Sequence, residues 1–396
     1  ADWLIDVGPA AGEHGGQVLY SGPPAGLAEV ERSQTRDYLF AAPRTSTLAR
    51  REPSGWLQLE GVTRNNLNDL SVDFPLGCFT SVTGISGSGK SSLVSQALLD
   101  LVGSGLGRAV DSDEEPSLED DTPQTSGGRI SAGLEQIRRL VQVDQKPIGR
   151  TPRSNLATYT GLFDNVRKLF AATPAAKKHK YDAWQFSFNV AKGRCPNCEG
   201  EGFVSVELLF MPSVYAPCPT CHGARYNPET LAIKWQGLSI AQVLGLTVEQ
   251  AVEVFAEQPG VLRSLQVLRD IGLGYLRLGQ PATELSGGEA QRIKLATELQ
   301  RNARGATLYV LDEPTTGLHP RDVDRLLSQL NQLVEAGHTV VVVEHEMRVV
   351  AQSDWVIDIG PGAGDLGGQV VASGTPQQVA KSKKSRTAPF LSRELV

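Results

Sequence analysis

Short apolar runs, each broken by glycine, proline or charge, set the pattern of this chain. The runs 340–343, 79–83 and 307–311 read as buried strands, and weaker strand patterns precede the second of them at 56–59 and 70–74. Helical patterns begin at Lys90, running to about residue 101, and at Ser286, running to about 301. Between 25 and 55 there is no long apolar periodicity, and several Pro, Ser and Arg mark a connector. No run approaches the ~20 apolar residues of a membrane-spanning helix, so no membrane partner is expected.

An internal repeat organises the whole. Residues 2–24 (DWLIDVGPAAGEHGGQVLYSGPP) align without gaps on 354–376 (DWVIDIGPGAGDLGGQVVASGTP), with 15 of 23 positions identical at an offset of 354 − 2 = 352. Trp and Asp match as well as Gly, which argues against coincidence between two glycine-rich turns. The chain then opens on the end of one unit and closes on the end of a second, and with no initial Met it reads as the C-terminal part of a longer tandem protein.

At 396 residues the chain is too long for one ordinary domain. Its net charge of −6 hides two opposed segments. Asp111, Asp113, Glu114, Glu115, Glu119, Asp120 and Asp121 put seven carboxylates in 11 residues, a pattern for a solvated or disordered loop. Residues 138–194 carry 12 Lys or Arg against three acids, so this stretch is +9 and the remainder −15. It reads either as a solvated face or as a phosphate-backbone surface. The interleaved Tyr159, Tyr181, Trp184, Phe186 and Phe188 favour the second.

Gly84-Ile-Ser86-Gly87-Ser88-Gly89-Lys90-Ser91 fits G-x-x-x-x-G-K-[ST] between a strand and a helix. Its backbone N–H groups would curl around the phosphates of ATP, with Lys90 on the β- and γ-phosphates and Ser91 on Mg²⁺; Ser92 follows in the same turn. The strand at 307–311 ends in Asp312 and Glu313, placed to hold Mg²⁺ and to polarise an attacking water. His345 follows the strand 340–343, and the order of motifs makes it a γ-phosphate sensor. Ser286-Gly287-Gly288-Glu289 opens a helix, with Ser286 a good N-cap and the glycines leaving the terminus open to an anion.

Four of the five cysteines form Cys195-x-x-Cys198 and Cys218-x-x-Cys221, 19 residues apart and each running into glycine. Four thiolates suit tetrahedral Zn²⁺ in a reducing, cytoplasmic setting better than disulfides, with a redox dithiol the minor reading. A closed shell of four cysteines implies a structural metal. Cys78 stands alone in a strand pattern and reads as core.

Together the glycine loop, Leu285-Ser-Gly-Gly-Glu289, Asp312-Glu313 and His345 resemble an ATP-binding cassette ATPase. Gln145 resembles that fold's Q-loop. In such ATPases two cassettes sandwich ATP, so Ser286, Gly287, Gly288 and Glu289 would serve nucleotide held by a partner cassette. The separation of 196 positions from Lys90 to Ser286 implies an insertion. A tandem cassette with a four-cysteine module in that place resembles the UvrA family, the damage-sensing subunit of the bacterial excinuclease. The runs 143–155, 157–161, 186–189, 194–200, 276–283 and 312–319 carry the likeness.

The resemblance implies an α/β fold: an ATP-binding cassette core of 56–102 with 285–380, and an inserted signature domain of 129–284 with its zinc module at 195–221. Residues 1–26 would end a preceding cassette, 27–55 connect, 103–128 form the acidic loop and 381–396 a tail. It also implies a homodimer that binds damaged double-stranded DNA and hands the lesion to a UvrB-like helicase subunit. Arg150, Arg153, Ser154, Asn155 and Tyr159 would contact the DNA backbone, with Lys177, Lys178 and Lys180. A paralogue serving drug tolerance would share every motif. A transporter ATPase subunit fits the zinc insert poorly.

Overall fold

The computed structural model describes residues 1–9, 12, 15–40, 50–107, 126–208, 211–301 and 305–395. The acidic stretch at 111–121 lies outside them. The chain divides into two compact units, one of 1–7, 18–144 and 302–396, the other of 8–17 and 145–301.

The first unit is built on a six-stranded sheet in the order Gln369–Gly374, Trp355–Gly360, Phe79–Gly84, Thr339–Val343, Thr307–Asp312, Arg139–Val143. All neighbours are parallel except the first pair. Every residue of Thr339–Val343 is buried, as is Phe79–Thr83, which is why these strands read as unbroken apolar runs. A second, antiparallel sheet joins Leu67–Leu76, Gly55–Arg64 and Gly127–Ala132. Here Leu70, Val72 and Phe74 alternate inward, the signature of a sheet buried on one face. The helix Pro320–Glu335 buries Val323, Leu326, Leu327, Leu330 and Val334, a stripe at helical spacing.

Residues 90–105 are helical, longer than the pattern indicates, and the turn Ser92–Leu98 is wound with π spacing. Cys78 is buried in the turn before Phe79–Gly84 rather than in a strand, and burial pushes its thiol up to about 12.

The second unit packs short helices around one core that includes Phe163, Phe170, Phe186, Phe188 and Tyr226. Its longer helices are Leu162–Ala171, Pro259–Asp270 and Gly287–Gln300. Packing places the helix Gly287–Gln300 in this unit, and Gly127–Ala132 with Arg139–Val143 in the first. The family resemblance sets these boundaries at 129 and 284. The Ser286-Gly-Gly start marks where the helix begins but not which core it packs on, so packing alone decides.

Candidate functional site

In the first unit, four of the expected residues lie near one another where parallel strands end. Phe79–Gly84 runs into the glycine loop at Gly84, whose φ is +139. A Cβ there would lie 2.1 Å from the Ile359 carbonyl oxygen, so only glycine fits. Gly87 and Gly89 also take positive φ, and the loop carries straight into helix at Lys90. Lys90 is 6% exposed, and its Nζ donates to the Ile85 carbonyl at 2.9 Å. Burial lowers its pKa, opposed by the charges of Glu313, Asp312 and Asp358. Ser88 is buried and its Oγ has no hydrogen-bond partner among the described residues. Ser86, Gly87 and Ser91 are exposed, and Ser92 accepts from Asn65 Nδ2 at 2.9 Å.

Asp312 ends its strand and accepts from Ser95 Oγ at 2.8 Å. Glu313 turns sharply, with φ +43, and its N–H donates to the Val343 carbonyl at 3.0 Å. That left-handed conformation is costly for a non-glycine residue. It brings the Glu313 carboxylate to 3.1 Å from His345 Nε2. Beneath them Glu344 is buried. Its carboxylate accepts from Thr315 Oγ1 at 2.7 Å and from the N–H groups of Thr315, His345 and Glu346. Ser95 and Glu344 escape the motif reading. Ser95 lies four residues past Ser91 on one helix face, and Glu344 is the acid closing an apolar strand. Both signals are present but unspecific.

In the second unit, Ser286 caps the helix Gly287–Gln300 in a reciprocal box with Glu289: Glu289 N donates to Ser286 Oγ at 3.3 Å and Ser286 N to Glu289 Oε2 at 2.8 Å. Tyr275 Oη also donates to Glu289. Exposed Gln145 lies against this helix start, its carbonyl 3.2 Å from where a Cβ on Gly287 would be.

The four cysteines are unpaired, and their Sγ atoms all lie within 4.8 Å of one another. Tetrahedral Zn–S bonds of ~2.3 Å require sulfurs about 3.8 Å apart, and Cys198 and Cys221 are at 3.6 Å. The two halves are built alike. Glu199 and Gly200 take φ +50 and +87, and His222 and Gly223 take φ +50 and +87. At Gly200 a Cβ would also meet the Phe188 carbonyl at 2.0 Å. Burial acts to raise the Cys218 thiol, but donors from Cys221, Asn197 and Thr220 bring it down to about 6. The donor set, its closure and its spacing suit zinc.

The basic segment is mostly surface. Arg150, Lys177, Lys178 and Lys180 are exposed, the first two lysines on the short helix Pro174–Lys178. Arg153, Ser154 and Tyr159, with Ile148, Thr151, Thr158 and Asn189, line a hollow of about 400 Å³. Arg153 Nη2 lies 3.4 Å from Glu201 Oε1. Asn155 departs from its expected place: it is fully buried, and its Oδ1 accepts from Thr158 N at 3.0 Å as a helix cap. The cap uses Oδ1, and Nδ2, the only side-chain donor a phosphate could meet, is buried and donates to the Arg153 carbonyl at 3.3 Å.

No family model matches the chain. UvrABC system protein A of Listeria monocytogenes (serotype 4b, strain F2365) is 49% identical over 394 residues, 99% of this chain and 40% of that protein. The protein of the same name from Streptomyces coelicolor is 50% identical over 394 residues, 99% of this chain and 38% of its own length. Among solved structures, UvrA2 from Deinococcus radiodurans superposes with a TM-score of 0.92 at 63% identity, covering all of this chain and 46% of that one. The chain spans about two fifths of the length of the curated relatives it matches.

Proposed function

We infer that this chain, which belongs to the UvrA family over the stretch it spans, is the ATP-hydrolysing and DNA-gripping portion of a damage-recognition ATPase in nucleotide excision repair. The observation that carries the reading is the convergence of Lys90, Asp312 and the Glu313–His345 pair around a glycine loop at the strand ends of a mostly parallel sheet.

The site suits Mg²⁺-ATP by its own features. Gly84, Gly87 and Gly89 all hold positive φ in the loop, a Cβ at Gly84 would strike the Ile359 carbonyl, and the buried Ser88 hydroxyl has no partner among the described residues. Bound Mg²⁺ supplies charge neutralisation for in-line attack of water on the terminal phosphate. Lys90 would exchange its bond to the Ile85 carbonyl for phosphate oxygens. The Ser91 hydroxyl and the Asp312 carboxylate would hold the metal, with Ser95 fixing Asp312. Glu313 would orient the attacking water, and His345 would fix the Glu313 carboxylate and face the terminal phosphate. Gln145 and the capped Ser286–Glu289 turn would serve nucleotide at a cassette interface.

Zinc would hold the Cys195, Cys198, Cys218 and Cys221 module as a structural clamp. Arg150, Arg153, Ser154, Tyr159, Lys177, Lys178 and Lys180 would grip DNA phosphates. Recognition would then work through duplex deformability rather than base edges. The working form would be a dimer that passes the lesion to a UvrB-like helicase subunit. No helix among the described residues is long and apolar enough to cross a membrane.

The test is binding of the full-length protein to lesion-bearing and intact duplexes, with and without ATP. Preference for the lesion should change with ATP, and Lys90→Ala should abolish that change together with ATP binding at this cassette. Equal affinity for both duplexes under all conditions would overturn the reading.

A further inference from the structure

The internal repeat reaches beyond the segment visible as near-identity. At the same offset, Ser33 matches Ser385 (385 − 33 = 352), Thr35 matches Thr387 and Leu39 matches Leu391. The structure gives the first two pairs the same tasks. Ser33 Oγ accepts from Arg36 N at 3.1 Å, and Ser385 Oγ from Ala388 N at 2.9 Å. Thr35 Oγ1 donates to Asp6 Oδ1 at 2.7 Å, and Thr387 Oγ1 to Asp358 Oδ1 at 2.8 Å. Residues 27–39 are therefore a second copy of 379–391, not only a connector.

In the later copy, Asp358 also accepts from Thr83 Oγ1 at 2.8 Å. Thr83 is its register partner on the adjacent strand and directly precedes the glycine loop. Asp358 thus ties a tail helix to the base of the nucleotide loop. In the earlier copy Asp6 is 7% exposed, and its Oδ2 is buried without a partner among the described residues. Ile5 and Val7 are 62% and 59% exposed, whereas their counterparts Ile357 and Ile359 are buried against the loop strand. If the earlier copy pairs as the later one does, Ile5, Asp6 and Val7 would face the loop strand of a neighbouring cassette.

That copy also touches this cassette. Thr35 Oγ1 lies 3.4 Å from His319 Nε2, Tyr38 Oη donates to Asp324 Oδ2 at 2.9 Å, and the Tyr38 and His319 rings meet edge-on at 5.7 Å. His319 Nδ1 accepts from Arg321 N at 3.2 Å, so a neutral ring carries its proton on Nε2 and donates it to Thr35. His319 closes the turn that begins at Glu313, through Thr316 N to Glu313 O at 3.2 Å and Leu318 N to Thr315 O at 3.0 Å.

We propose that Asp6, Thr35 and His319 form a positioning relay through which nucleotide at the neighbouring cassette sets the Glu313 turn of this one. The proposal rests on the two-cassette ATPase reading. It makes His319 and Thr35 positioning residues for hydrolysis, neither touching nucleotide.

The test uses the full-length protein, steady-state ATP hydrolysis and nucleotide binding. Thr35→Val deletes the hydroxyl, and Thr35→Ser keeps it. Thr35→Val should lower kcat on the order of tenfold, the size of an ordinary coupling between sites, and bring the Hill coefficient towards one. KM should hold, and Thr35→Ser should retain parental values. His319→Ala, which breaks the chain from the other side, should reproduce Thr35→Val, and melting temperatures confirm that each variant is folded. Parental kcat and Hill coefficient in folded Thr35→Val or His319→Ala would overturn the relay. Absence of ATP hydrolysis in the parent would instead overturn the ATPase reading on which the relay stands.

Discussion

Glu313 and Glu344, just past the paired strand ends Asp312 and Val343, show how one residue type takes two states side by side. Glu313 is half-exposed and paired with His345, whereas Glu344 is 2% exposed. Burial pushes the Glu344 carboxyl above its ordinary 4.5, against the pull of its Thr315 and backbone donors. A carboxyl raised on folding binds more protons in the folded than in the unfolded chain between those two values, so its contribution to stability falls as pH rises through that window. Glu344→Gln, which stays neutral, should flatten that part of the stability-against-pH curve relative to the parent. Chemical denaturation of both at several pH values checks it, and parallel curves would show that Glu344 titrates normally. At this scale the sequence is most informative where chemistry dictates spacing, as at Lys90 and Asp312. It is least informative where a polar side chain has two uses. Nothing in the sequence separates Asn155 as a cap from Asn155 as a phosphate ligand; only its burial does.

The cysteine turns are legible as elements because metal geometry constrains them tightly. Two thiolates from C-x-x-C reach one ion only if the next residues bend back, and the matching φ values at 199–200 and 222–223 show that bend twice. The strands are legible for a similar reason: burial on both faces leaves no polar residue in Thr339–Val343 except at its start. The helix 90–105 reads short because its last residues, Val102-Gly-Ser-Gly105, are poor helix formers that read as a break. The helix Ala388–Glu394 reads as a charged tail, since its value lies in a contact between Thr387 and Asp358 distant in sequence. The zinc element carries its own prediction. Its core cluster consists of the cysteines and Val204, too little apolar surface to hold two turns together without metal. Purified protein should contain about one zinc per chain, and a strong chelator should lower its melting temperature and open 195–221 to protease. Metal-free protein with unchanged melting and protease resistance would leave the cysteines without a metal role.

For the molecule as a whole, the net charge of −6 says little, because +9 in residues 138–194 offsets −15 elsewhere. Structure divides that basic segment. Arg138 and Arg139 lie in the sheet unit, while Arg150, Arg153 and the lysines at 177–180 belong to the other. Where one compact unit stops is not legible in the sequence, since it depends on which helices share a core. The DNA prediction therefore concerns the second unit alone. If Arg150 and Arg153 each neutralise a phosphate, each releases roughly 0.9 counterion on binding duplex. Arg150→Gln with Arg153→Gln should weaken binding at low salt and reduce the slope of log affinity against log salt by about 2. Loss should be similar on lesion and intact duplex, because backbone contacts carry no sequence information. Weaker binding with an unchanged slope would assign these arginines to local packing, as the Arg153–Glu201 ion pair at 3.4 Å could support. An unchanged affinity and slope would move the DNA surface away from the 400 Å³ hollow altogether.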